Sequence, residues 1–256
     1  MYQLIQYIKF LIKSTNQHGV HSPFVFDLVT RCFYDKKEYP SYGSLARYKA
    51  SLLRTDAYIK VHDLGPGSKK MKQPERHVSK IVKTSGTPVK RAKLLFRLSQ
   101  YFNPNHILEL GTSLGISTHA MAMGQPNAKI TTVEGCPNLH GFSKDFLKRE
   151  LSNEVKFINE DFNNAVESLA TKKFDLIFFD GNHQKEATLR YFETLLPTAH
   201  NDSVFIFDDI YWSRGMTEAW EIIKQHPKVT VTIDTFYWGF VFFRTEQAKE
   251  HFRIRL

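Results

Sequence analysis

The chain has 256 residues, 42% apolar and 24% charged, a balance that excludes a disordered tail, a collagen-like repeat or a low-complexity scaffold and describes a folded domain with a real core. The formal charge is +9, and the excess is N-terminal: residues 1–90 carry 16 Lys or Arg against 6 acids, whereas residues 91–256 carry 19 against 20. Residues 1–90 are therefore read as a basic cap on a second unit, residues 91–256. An anionic partner would meet the cap, although no recognisable nucleic-acid module accompanies the charge.

The first apolar run, Tyr2–Ile12, has a helical look but is broken by Lys9 and is too short to span a bilayer. His18-Gly19-Val20-His21-Ser22-Pro23 interrupts any helix, and Ser44–Leu53 reads as another helix, so the cap is expected to be mainly helical with loops. Tyr58–Ser68 resembles a strand entering a glycine turn. The Lys69-Lys70-Met71-Lys72 that follows lacks a phosphate-loop signature, so it is read as a basic loop and not a nucleotide site. Cys32 and Cys136 have neither the number for a disulfide framework nor the spacing of a zinc site, which points to a reducing, cytoplasmic setting.

From residue 104 onward, strand-like runs alternate with helical stretches. The runs are His106–Leu110, Lys129–Glu134, Val155–Asn159, Asp175–Asp180 and Ser203–Asp208. The helical stretches are Ile116–Met123, Leu139–Leu151, Asn163–Thr171, Lys185–Leu196 and Gly215–His226. Five βα units in succession predict a parallel sheet covered on both faces. Val229–Thr235 and Trp238–Arg244 leave no room for a helix between them and must form an antiparallel hairpin. The expected fold is thus α/β and Rossmann-like, with five parallel strands closed by a hairpin, seven strands in all.

Ile107-Leu108-Glu109-Leu110-Gly111-Thr112-Ser113-Leu114-Gly115-Ile116-Ser117 is a buried strand turning through small residues into a helix, the arrangement in which backbone approaches a ligand closely. A dinucleotide fingerprint would need glycine at Ser113, so an NAD site is disfavoured. Glu134 ends the next strand, where a carboxylate can accept hydrogen bonds from both hydroxyls of a ribose. Asp161 and Phe162 follow the third strand at the place of an adenine.

These motifs resemble the class I S-adenosylmethionine-dependent methyltransferases, and among them the catechol and caffeoyl-coenzyme A O-methyltransferase group, over roughly residues 100–245. The resemblance implies that Glu109, Gly111, Thr112, Ser113, Gly115 and Ser117 line the methionine and ribose part of S-adenosylmethionine and that Glu134 binds the ribose hydroxyls.

Asp180 ends the fourth strand and Asp208-Asp209 the fifth, so three carboxylates are expected at one sheet edge, a donor set suited to Mg²⁺ or another divalent metal. The related enzymes hold a metal with an acid at the place of Asp180 and an Asp-Asn pair at that of Asp208-Asp209. Their basic lysine is replaced here by His183, which could take the proton from an acceptor hydroxyl. The competing reading is that Asp180 caps the cofactor pocket while Asp208 and Asp209 only cap the following helix. The expected activity is O-methylation of a small-molecule hydroxyl. The alternative is a nucleic-acid-associated or non-catalytic cofactor-binding module that uses the cap.

Overall fold

A computed structural model of the chain describes residues 1–62 and 73–256; most of the basic loop, including Lys69, Lys70 and Lys72, lies outside the described residues. The described chain forms two compact units, Met1–Tyr34 with Val166–Leu256, and Asp35–Ala165. These units are defined by contacts, whereas the partition at residue 90 is one of charge. Among the described residues no helix is long and apolar enough to cross a membrane.

The first unit opens with α1 (Tyr2–Lys13) and α2 (Pro23–Leu28). Ser22 starts α2 by accepting the Val25 N–H on its hydroxyl, with Pro23 at the first helical position, where a missing N–H costs nothing.

The second unit begins with α3 (Pro40–Arg54), whose Tyr42, Leu45, Tyr48 and Leu52 recur at helical spacing and are buried. Strands β1 (Tyr58–Lys60) and β2 (Glu75–His77) pair antiparallel, followed by α4 (Val78–Thr84) and α5 (Val89–Phe102). Then come β3 (His106–Leu110), α6 (Ile116–Gly124), β4 (Lys129–Val133), α7 (Pro137–Leu147) and β5 (Val155–Ile158). β3 pairs with β4, and β4 with β5, all parallel. The split between the units falls inside α8 (Phe162–Leu169).

The first unit resumes with β6 (Leu176–Phe179), α9 (Lys185–Leu195), β7 (Val204–Asp208), α10 (Arg214–Gln225), β8 (Val231–Asp234), β9 (Trp238–Phe242) and β10 (Glu250–Arg253). Its strand order is β10-β8-β9-β7-β6. β6 and β7 run parallel, β9 runs antiparallel to both β7 and β8, and β10 is parallel to β8. Every residue of β6, β7, β8 and β9 is buried, as strands covered on both faces require.

The α/β class, the five parallel strands β3 to β7 and the closing hairpin agree with the sequence reading. The strand number does not: β10 adds an eighth to the expected seven. Its sequence Glu-His-Phe-Arg carries one apolar side chain, and two of its residues, Glu250 and His251, are exposed, so it has little of the apolar signal of a strand. The hairpin is closed by the Thr235 N–H donating to the Trp238 carbonyl and by Phe236, which takes a left-handed φ of 73°. That conformation is costly for a bulky residue. It is held by packing, since the Phe236 ring stacks on Tyr211 and meets Tyr7 and Phe10 of α1.

Candidate active site

In the second unit the turn between β3 and α6 is built by three residues in left-handed conformation, Gly111 (φ 109°), Ser113 (φ 48°) and Gly115 (φ 75°). The N–H groups of Gly111 and Thr112 both donate to the Val133 carbonyl at the end of β4, at 2.9 and 3.2 Å, which ties the turn to the neighbouring strand. The Glu134 carboxylate lies against it. Oε2 accepts the Ser113 N–H at 2.8 Å, and Oε1 accepts the Cys136 N–H at 2.9 Å. The two motifs expected to share one ligand are therefore joined by a hydrogen bond, and Glu134 is held in a fixed orientation at partial exposure.

Glu109 lies beneath the turn, fully buried. Its Oε2 accepts from Thr132 Oγ1 at 2.6 Å and from Thr118 Oγ1, whereas Oε1 has no hydrogen-bond partner among the described residues. Burial pushes this carboxyl up to about 7; the two threonine hydroxyls oppose the shift and the nearby Glu134 charge adds to it. Thr112 joins the network through Thr132, with the two hydroxyl oxygens 2.5 Å apart. Ser117 is buried, its hydroxyl 2.7 Å from that of Thr87.

Sequence reasoning missed Tyr48. Its hydroxyl donates to the Leu114 carbonyl at 2.9 Å from α3, and its ring stacks on His119 of α6 at 4.3 Å. A Cβ at Gly115 would come within 2.6 Å of Leu147 Cδ1 and 2.9 Å of the Tyr48 oxygen. Gly115 therefore serves close packing as well as its left-handed φ. Burial also depresses the His119 imidazole to about 4, so at neutral pH Tyr48 stacks on a neutral ring.

Asp161 precedes α8 and accepts the Asn163 N–H on Oδ1 at 2.9 Å, which makes it a cap of that helix; Phe162 is the first helical residue and is partly exposed.

In the first unit, Asp180, His183 and Asp208 each present one metal-ligating atom, and these atoms lie within 4.8 Å of one another. Asp180 and His183 are partly exposed and Asp208 is buried at the end of β7. The indole N–H of Trp238 fixes Asp208 by donating to Oδ1 at 2.6 Å from the paired position of β9. His183 and Asp208 also border a cavity of about 10 Å³, lined further by Phe179, Tyr191 and Met216 and sized for one water-like occupant. Asp209, the third expected acid, is outside the grouped ligands. It occupies the left-handed region (φ 54°) one residue beyond the strand, where its carbonyl accepts the Trp212 N–H. His183 takes the third place instead. The helix-capping reading of Asp208 and Asp209 is not what the chain does: Ser213 is the N-cap of α10, its hydroxyl accepting the Met216 N–H at 3.1 Å.

The fold is that of the class I methyltransferases. PaMTH1 from Podospora anserina, an SAH-bound methyltransferase, superposes with a TM-score of 0.61 at 17% identity, covering 88% of this chain and 97% of its own. An O-methyltransferase from Bacillus cereus in complex with SAH gives 0.54 at 18% identity, covering 83% and 95%. The O-methyltransferase TomG from Streptomyces achromogenes, in complex with SAM, gives 0.57 at 16% identity, covering 81% and 91%. Residues 108–210 match the family model described as a methyltransferase domain, a stretch that contains the β3–α6 turn, Glu134 and the Asp180–His183–Asp208 group.

Proposed function

We propose that the chain is an S-adenosylmethionine-dependent methyltransferase acting on the hydroxyl of a small-molecule acceptor. The observation that carries this reading is the hydrogen bond from the Ser113 N–H to Glu134, which fixes a ribose-binding carboxylate beside a glycine turn. Two features fit a cationic nucleoside: Gly111 brings backbone without a Cβ to the turn, and Glu109 Oε1 is a buried acceptor lacking a donor among the described residues. Gly111, Thr112, Ser113, Gly115 and Ser117, with Glu109 beneath them, serve the methionine and ribose end, Glu134 the ribose hydroxyls, and Asp161 with Phe162 the adenine. Methyl transfer breaks the sulfonium C–S bond, forms a C–O bond and releases the hydroxyl proton. The SAH and SAM held by the Podospora, Bacillus and Streptomyces proteins support the same choice of donor here.

Asp180, His183 and Asp208 form the metal set of this proposal. Two carboxylates and one imidazole suit Mn²⁺, Fe²⁺, Co²⁺ or Zn²⁺ better than Mg²⁺, which prefers oxygen and water throughout. A metal bound there would supply Lewis-acid character, making an acceptor hydroxyl easier to deprotonate. Coordination uses the lone pair with which His183 would otherwise take a proton, so its role as general base belongs to the metal-free version. Cys32 and Cys136 are buried and form no disulfide among the described residues, which accords with a cytoplasmic protein.

Titration calorimetry with S-adenosylmethionine tests the donor. Micromolar binding is expected, and absence of binding at millimolar cofactor would remove the reading. Salt-dependent retention on RNA without any methyl transfer would instead favour the binding-module alternative, for which the N-terminal charge speaks.

A further inference from the structure

Helix α1 turns the wrong side to solvent. Leu4, Ile5, Ile8 and Ile12 are exposed by 63, 46, 51 and 78%, while the one buried residue of the helix, Phe10, lies on the opposite side. At 100° per residue those four side chains share one face over about two turns, bordered by Lys9, while Lys13 is turned away from it and lines a hollow with Asp234, Glu250 and Arg253. The helix is not free to roll this face inward. Tyr2 Oη donates to Thr217 Oγ1 at 2.8 Å, Phe10 packs on Phe236, and the Thr15 N–H donates to the Arg253 carbonyl at 2.9 Å.

Single exposed apolar side chains are ordinary, but a contiguous row on a pinned helix marks an interaction surface. We propose that α1 is an interfacial anchor, laying Leu4, Ile5, Ile8 and Ile12 into the headgroup and acyl boundary of an anionic lipid surface while Lys9 meets lipid phosphates. Three observations favour lipid over a second copy of the chain. Residues 1–26 contain no Asp or Glu, so two α1 helices meeting face to face would bring like charges together with no acid on either helix to pair them. A 12-residue helix is about 18 Å long and about 10 Å wide, a footprint near 180 Å², against the roughly 800 Å² per partner of a stable interface. An apolar face bordered by Lys9 and free of acids, on a helix too short to span, is the pattern of helices that lie in the interface. The proposal is independent of the methyltransferase reading, since none of these residues belongs to the candidate site.

The test is co-sedimentation of the full chain with vesicles of pure phosphatidylcholine and of phosphatidylcholine containing 30% phosphatidylglycerol. Expected is at least tenfold tighter binding to the anionic vesicles, weakening as salt is raised. Ile8→Glu with Ile12→Glu should abolish binding to both vesicle types, whereas Lys9→Gln should weaken only the preference for anionic lipid. All three positions are exposed, and unchanged thermal melts would show that both variants fold. Failure of the wild-type chain to sediment with either vesicle would overturn the proposal. So would a wild-type dimer in light scattering that Ile8→Glu with Ile12→Glu converts to monomer, since the face would then belong to a second copy.

Discussion

The Ser113 N–H and the Glu134 carboxylate, 21 residues apart in the chain, are 2.8 Å apart in space. Glu134 thereby has two duties, steadying a strained turn and offering a charged acceptor. Ser113 sits at φ 48°, and its N–H can keep pointing at the acid only while β3 and β4 hold their register, Leu110 opposite Val133.

Glu134→Ala should weaken S-adenosylmethionine binding by at least tenfold, because charge-assisted hydrogen bonds are worth about 1.5–3 kcal/mol. Glu134→Gln should recover part of the stability but little of the affinity, since the amide keeps one acceptor and loses the charge. Calorimetry beside a thermal melt separates the effects; unchanged affinity in Glu134→Ala would remove this residue from the site.

Glu109 makes stability depend on pH. Its folded carboxyl lies near 7 against an ordinary value of 4.5, so between those limits the folded chain holds a proton that the unfolded chain has lost. Stability from this group is greatest below about pH 4.5 and falls as pH rises toward 7, by about 3 kcal/mol across the window. Glu109→Gln should flatten the curve there, as read by urea denaturation at pH 5, 6, 7 and 8. An equal slope in both proteins would show that Glu109 ionises freely.

Gly115→Ala should destabilise by about 2–4 kcal/mol, combining a left-handed φ with contacts at 2.6 and 2.9 Å to Leu147 and Tyr48. Tyr48→Phe removes only the hydrogen bond to the Leu114 carbonyl and should cost about 1 kcal/mol. Its effect on cofactor affinity reports how far the turn depends on that prop. A Gly115→Ala variant melting with the wild type would mean that the turn can reshape.

If Asp180, His183 and Asp208 hold a metal, Mn²⁺ titrated into the protein should lose its free-ion paramagnetic resonance signal, and Asp208→Asn should weaken that binding by tenfold or more. A chelator should abolish turnover while leaving cofactor affinity largely intact. Full activity in excess chelator would leave the metal-free version, in which His183 takes the proton.

The βα succession was legible because it is written in burial. Strands such as Leu176–Phe179 and Val204–Asp208 have no solvent face, so their apolar runs cannot be mistaken, and observed boundaries fall within a few residues of expected ones. β10 was not legible because its place comes from pairing with β8 and not from its own side chains. Tyr48 escaped because its partner Leu114 lies 66 residues away in a different motif. The acid group was half legible: Asp180 and Asp208 stand at strand ends, where periodicity puts them. Choosing His183 over Asp209 needs the backbone torsion at Asp209, which sequence does not carry.

The tip residue Phe236, locked by Tyr7 and Phe10, also imposes a timetable. Residues 35–165 are an unbroken stretch, but α1 packs on a residue synthesised more than two hundred positions later. Throughout that interval Tyr7 and Phe10 lack the ring on which they pack in the finished protein, so the placement of α1 is among the last steps of assembly.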